Sequence, residues 1–210
     1  MTTKKSGAGM LIFIGWLIYT FSYLGKLNYS ANITQIIDYY GITKSEAGLV
    51  PTFFFFAYGI GQVVNGLFCK KYNIKWMIFT SLIASSLINF SIALGCDFRY
   101  VKWLWMLNGF SLSILWPTII RMMSEFLPKK DLARSSVILG TTVAAGTLII
   151  YGCSSIFAIF NGFKYAFYLA AFADLAISIF WILFYKKAVG MALAEKEPSN
   201  TEDSKKEEIV

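Results

Sequence analysis

A lysine set among phenols is the most chemically suggestive feature of this sequence. Lys26 lies toward the end of the first apolar run, and Tyr19, Ser22, Tyr23, Tyr29 and Ser30 recur around it at helical spacing. One face of that helix is therefore polar and aromatic, while the other is Leu, Ile and Phe. An ammonium framed by phenols and hydroxyls suits an anion that itself carries hydroxyls: the cation supplies charge and the hydroxyls supply hydrogen bonds. An ionisable group in such a run is costly unless it is paired or wet, which makes it a site candidate. The competing account has Lys26 near the outer end of its span, snorkelling to the interface, with the tyrosines as an aromatic belt.

Other polar groups interrupt apolar runs in the same way. Asp174 lies about ten residues beyond Lys164, near mid-span at a rise of about 1.5 Å per residue. It is placed to pair with Lys26 or to carry a coupling proton; a structural hydrogen bond to a neighbouring helix fits equally well. Arg121 and Glu125 are one helical turn apart and can pair. With Asp131 and Arg134 they form a candidate cytoplasmic gate, or else a solvated loop boundary. Tyr58, Gln62 and Asn65 share one helix face, and Asn108, Ser111, Ser113 and Trp116 populate another span. A polar face that recurs on three spans implies a shared wet cavity, since helices meeting lipid all round would not need it. The candidate substrate contacts are Lys26, Tyr19, Tyr23, Tyr58, Gln62 and Asn108. The small residues from Gly140 to Gly152 read as packing.

The chain contains no histidine, which excludes Ser/His or Cys/His dyads, HExxH sites and histidine-ligated metals. Its three cysteines, Cys69, Cys96 and Cys153, have no metal-ligand spacing and read as small packing residues. No catalytic residue, metal or cofactor is expected, and no enzyme activity.

The elements that position these side chains follow from composition. Hydrophobic residues make up 57% and charged ones 15%, and the charges cluster between long apolar runs, so lipid is the outer solvent. The net charge of +7 does not point to nucleic acid, because no basic cluster adjoins a reading surface. A spanning helix needs about 20 mainly apolar residues. Six stretches qualify: Gly9 to Ile33, Ala47 to Cys69, Ile74 to Cys96, Val101 to Leu127, Leu132 to Phe160 and Tyr165 to Tyr185. Turn residues separate them: Tyr40-Gly41, Lys71-Tyr72-Asn73, Asp97, Pro128 and Asn161-Gly162. The first run carries no small-residue cleavage site, so it reads as a retained helix and not as a signal peptide.

Lys4, Lys5, Lys70, Lys71, Lys75, Lys129, Lys130, Arg134, Lys186 and Lys187 fall on one side; Lys44, Arg99, Lys102 and Lys164 fall on the other. Ten against four places both termini in the cytoplasm. The expected organisation is a cytoplasmic N-terminus over 1–8, a six-helix bundle over 9–187, and a charged, disordered tail or linker over 188–210.

The run from Tyr23 to Ser30 (Tyr-Leu-Gly-Lys-Leu-Asn-Tyr-Ser), then Gly41, Gly48, Phe53 to Tyr58, Gln62 and Gly66, resembles helices one and two of major facilitator superfamily transporters. Trp116-Pro117-Thr118-Ile119-Ile120-Arg121-Met122-Met123 is similar to the fourth-helix stretch of organophosphate:phosphate antiporters and related organic-anion symporters. Asp131-Leu132-Ala133-Arg134 stands where that family has an acidic-basic pair. The resemblance implies an all-α membrane fold: an inverted three-plus-three repeat that makes one half of a twelve-helix transporter. It further implies a secondary transporter of a small organic anion, an organophosphate exchanged for phosphate, in the cell (plasma) membrane. A C-terminal six-helix half or a second polypeptide would complete the cavity.

The sequence departs from the family pattern where Lys26 replaces a phosphate-binding arginine, Gln62 a lysine and Lys70 an acidic residue, and where the Gly-Pro pairing of helix five is missing. A transporter-like receptor that binds without moving its ligand, and a half-transporter inactive alone, remain the alternatives.

Overall fold

The computed structural model describes residues 7–160 and 162–207, with side chains described to Lys196 except that of Cys69. Lys4, Lys5 and Asn161, assigned above to the cytoplasmic terminus and to a turn, lie outside the described residues. The described chain is helical throughout: α1 (Gly7–Ala31), α2 (Ile33–Tyr40), α3 (Lys44–Phe68), α4 (Ile74–Ala93), α5 (Phe98–Leu112), α6 (Leu115–Phe126), α7 (Lys129–Gly140), α8 (Thr142–Ile159) and α9 (Phe163–Glu207). Taking α5–α6 and α7–α8 as broken single helices, six are long and apolar enough to cross a membrane. This is a multi-pass membrane protein.

The interruptions have local causes. α1 breaks at Asn32, whose side chain donates to the Asn28 carbonyl and to Ser154 Oγ, and the helix then resumes as α2 instead of stopping near Ile33 as expected. Gly41 ends α2 in the left-handed region at φ 63°, which an L side chain rarely adopts. The α5–α6 break precedes Pro117, which has no N–H to offer the carbonyl four residues back. The α7–α8 break falls at Thr141, where the Thr141 and Thr142 hydroxyls donate back to Ile138 and Leu139 carbonyls and bend the helix. Asp97 caps α5 by accepting from Arg99 N–H, and the guanidinium beside it holds the Asp97 carboxyl below the usual carboxylate range.

The principal helix contacts are related by exchange of the first three spans for the last three, although α8–α9 packing has no α3–α4 counterpart. α3 rests on α5 as α7–α8 rests on α1, and α1 rests on α9 as α4 rests on α5–α6. The α4–α9 contact maps onto itself. Glycines carry both of the exchanged close contacts. A Cβ on Gly109 would run into the Phe54 carbonyl, and one on Gly146 would lie 2.7 Å from the Thr20 carbonyl. Within lipid, where burial of apolar surface drives little, such close approaches and interhelical hydrogen bonds hold helices together. Asn28 Nδ2 donates to Asn89 Oδ1 at 2.7 Å, and Ser86 donates to the Ala171 carbonyl at 2.8 Å.

The tail differs from expectation. α9 continues past residue 187 to Glu207 instead of dissolving into a disordered segment. Ala188 and Ala192 are buried, the α1 start crosses α9 at Gly7 against Met191, and Ala8 N–H donates to Glu195. The small buried residues of this stretch, Ala188 and Ala192, permit that crossing. Composition alone shows only the charged residues beyond it.

Candidate functional site

Lys26 is 6% exposed and is held by rings. Its ammonium lies 4.4 Å from the Tyr23 ring centroid, 4.5 Å from Tyr58 and 5.1 Å from Tyr19. All three lie within the roughly 6 Å reach over which a ring quadrupole attracts a cation. The helix dictates this arrangement on one side: Tyr19, Tyr23 and Lys26 occupy positions i, i+4 and i+7 of α1, hence one face. On the other side α3 presents Tyr58 and, one turn on, Gln62.

Polar atoms of the cage are linked. Lys26 Nζ donates to the Tyr58 hydroxyl at 3.3 Å, Gln62 Nε2 donates to the same oxygen at 3.0 Å, and the Tyr19 and Tyr58 hydroxyls are 3.4 Å apart. Trp116 of α6 tilts against Tyr19 with centroids 4.9 Å apart, which gives the cage a third wall. Tyr23, Tyr58 and Gln62 are half-buried and form its outer edge. An ammonium with three donors, two phenols and an amide at one edge can bind an anion that also bears hydroxyls.

Five of the six expected contacts therefore assemble. Asn108 does not. It is fully buried and donates to the Gly25 carbonyl at 2.8 Å, so it pins α5 to α1 and does not line the cage. Asp174 is also fully buried; it makes no ion pair with Lys26, one of the alternatives the sequence left open, and lies beside Ser85 and Asn89 of α4. The carboxylate approaches α1 at Gly25, and consecutive helix residues point about 100° apart, so Lys26 leaves the helix on a different face.

The expected gate assembles by half. Arg121 pairs with Glu125 at 2.6 Å and donates to the Tyr72 carbonyl at 2.8 Å, while Lys196 from α9 donates to the Glu125 carbonyl. Asp131 and Arg134 do not join that pair: Pro128 turns the chain in an extended conformation before α7 begins, and Asp131 sits in that helix's first turn. The Arg121 and Glu125 side chains are 18% and 42% exposed, so their coupling should be small. A double-mutant cycle with Arg121→Ala and Glu125→Ala, read by thermal unfolding in detergent, is expected to give about 0.5 kcal/mol. A value well above about 1 kcal/mol would contradict this placement.

Sequence reasoning missed the surroundings of Asp174, which are Gly25 of α1 and Ser85 and Asn89 of α4. A signal was present, since Ser85 and Asn89 fall one turn apart within an otherwise apolar span.

A family model described as Major Facilitator Superfamily matches residues 15–208, nearly the whole chain. The chain belongs to that superfamily. Among curated superfamily relatives, sugar phosphate exchanger 3 of Homo sapiens is 27% identical over 168 residues, covering 75% of this chain and 33% of the relative. The membrane sensor protein UhpC of Escherichia coli K12 is 24% identical over 116 residues, covering 55% of this chain and 26% of the sensor. A probable hexose phosphate transport protein of Chlamydia pneumoniae is 22% identical over 120 residues, covering 57% and 26% respectively. The chain thus spans about a third or less of the length of these relatives.

Among solved superfamily structures, an inward-facing, unoccupied bacterial homolog of the human lysosomal transporter Spinster superposes with a TM-score of 0.75. It is 16% identical, and the match covers 86% of this chain and 43% of that one, which places the six helices in the superfamily's fold.

Proposed function

We propose that this chain forms the anion-binding half of a secondary transporter that exchanges an organophosphate for phosphate. The observation that carries the reading is the Lys26 ammonium held by three tyrosine rings at a half-buried edge between α1 and α3. Lys26 binds the anionic group, Tyr19, Tyr23, Tyr58 and Gln62 take the hydroxyls, and no covalent step occurs. The printed names of the relatives, a sugar phosphate exchanger and a hexose phosphate transport protein, support this substrate class. A C-terminal six-helix half, or a second polypeptide, supplies the facing wall. The transporter lies in the cell membrane with both termini in the cytoplasm, following the Lys/Arg asymmetry of the loops. The Arg121–Glu125 pair stands at that side as a gate element.

The test uses the native membrane assembly, purified through a tag on this chain and reconstituted in liposomes loaded with inorganic phosphate. Saturable counterflow of labelled phosphate, competed by glucose 6-phosphate, is the expected result. A second reading, a sensor that binds without transport, is favoured by the similarity to a relative named a membrane sensor protein. Binding without counterflow would select it, and absence of both would overturn the anion site.

A further inference from the structure

The α4–α9 pair carries a cleft that the proposed anion site leaves unused. Its volume is about 240 Å³, and Ile83, Leu87 and Phe90 of α4 face Phe172 and Leu175 of α9 across it. The polar group at its floor is already committed, since the Ser86 hydroxyl donates to the Ala171 carbonyl at 2.8 Å. At the rim, Leu87 and Phe172 are 61% and 58% exposed. The cleft is apolar and open.

Both helices turn this face away from α1. Ser85 and Asn89 of α4 and Asp174 of α9 meet Gly25 of α1. Side chains two apart on a helix point about 160° apart, so Leu87 and Phe172 look out of the bundle. Apolar side chains pointing out of a membrane bundle meet hydrocarbon. The cage, which a second half would face, opens instead between α1 and α3.

One end of the cleft leads to a cation. On α9, Leu175, Phe172, Tyr168 and Lys164 recur at three- and four-residue steps and so share a face. Phe90 bridges the two helices there, its ring centroid 6.2 Å from that of Phe172 and 5.8 Å from that of Tyr168. From Leu175 to Lys164 the helix rises about 16 Å at about 1.5 Å per residue, which matches one leaflet's share, about 15 Å, of the hydrocarbon core. The Lys164 ammonium stands 4.7 Å from the Tyr39 ring centroid and donates to its hydroxyl at 3.0 Å. Two N–H groups and the phenol proton are left for another acceptor. Lys164 forms no ion pair among the described residues. Gly95 lies against it, and Asp97, just beyond, is taken by Arg99 at 2.9 Å.

We propose that this groove holds an anionic glycerophospholipid from the leaflet opposite the chain's termini. One acyl chain lies in the cleft and over the Phe90, Tyr168 and Phe172 rings, and the phosphate meets the Lys164 ammonium and the Tyr39 hydroxyl. Length and charge together select that occupant: hydrocarbon over about one leaflet, with an anion at its interfacial end. A lipid of net negative charge neutralises the ammonium, whereas a zwitterionic one brings its own cation. Nothing in this site needs Lys26, so the inference stands apart from the anion reading of the cage.

The test is native mass spectrometry of the purified native assembly, stripped of lipid and titrated with phosphatidylglycerol or phosphatidylcholine of the same chain length. Wild type is expected to bind phosphatidylglycerol more tightly. Lys164→Gln is expected to weaken that binding on the order of fivefold, the effect of one interfacial cation, and to leave phosphatidylcholine unaffected. Lys164→Arg, which keeps the charge, must retain it. Leu87→Trp fills the cleft from its rim, keeps every charge and is expected to weaken both lipids. Lys102→Gln, on the same side of the membrane, controls for general surface charge and is expected to bind as wild type. Circular dichroism of each variant confirms the helices. Equal affinity of wild type for the two lipids, no loss in Lys164→Gln, an equal loss in Lys102→Gln, or wild-type binding by Leu87→Trp overturns the site. A doubled mass that Leu87→Trp halves also overturns it, by assigning the cleft to a second copy of this chain.

Discussion

Replacing Lys26 with alanine is expected to weaken phosphate binding by the native assembly roughly 10- to 150-fold. That range corresponds to the loss of a charged hydrogen bond worth about 1.5–3 kcal/mol. The ammonium is the cation at the half-buried edge of α1 and α3, and Tyr58 and Gln62 cannot replace its charge. Lys26→Arg should retain most of the affinity, because the guanidinium keeps the charge and adds a planar fork suited to phosphate. Equilibrium binding of labelled phosphate decides the matter. Unchanged affinity in Lys26→Ala would remove the cage from the anion site and leave Lys26 as an interfacial lysine among aromatic neighbours.

The largest structural effect is expected at Gly109. A valine there must push Cβ into the Phe54 carbonyl, and backbone in a packed helix cannot step aside as the tip of a flexible side chain can. Overpacking a well-filled contact costs about 1–3 kcal/mol, and a clash with backbone belongs at the upper end or beyond. Loss of helicity at lower detergent denaturant, with α3 splayed from α5, is the expected outcome. Gly48→Val is the control, since nothing lies within 4 Å of a Cβ at that position. Equal stability of the two variants would show that the α3–α5 crossing is looser than described.

The spans were legible because lipid imposes a single rule, about 20 apolar residues per crossing, and the chain obeys it six times. What the rule cannot show is where a span bends. Asn32 and Thr141 interrupt helices through side-chain hydrogen bonds to backbone, and such bonds depend on the rotamer as well as the residue type. Helical periodicity placed Tyr19, Tyr23 and Lys26 on one face, so half the cage was readable. Tyr58 arrives from another helix, and its share of the cage depends on how α3 is seated on α5. Asn108 shows the opposite failure: a polar residue at the right depth faces the neighbouring backbone, because residue type does not reveal azimuth. Composition averages over a window, so it does not resolve Ala188 and Ala192, which are buried on α9 and outnumbered by the charged residues after them.

The way the resting ammonium is stored bears on how quickly a ligand can reach it. A cation locked to a carboxylate would have to be prised from its counter-ion before anything else could dock. Here it leans on the faces of phenol rings, which carry no net charge to expel. Docking then asks for rings to swing and for one neutral-acceptor hydrogen bond, Lys26 to the Tyr58 hydroxyl, to open, so arrival at the site should not be limited by breaking an ionic lock.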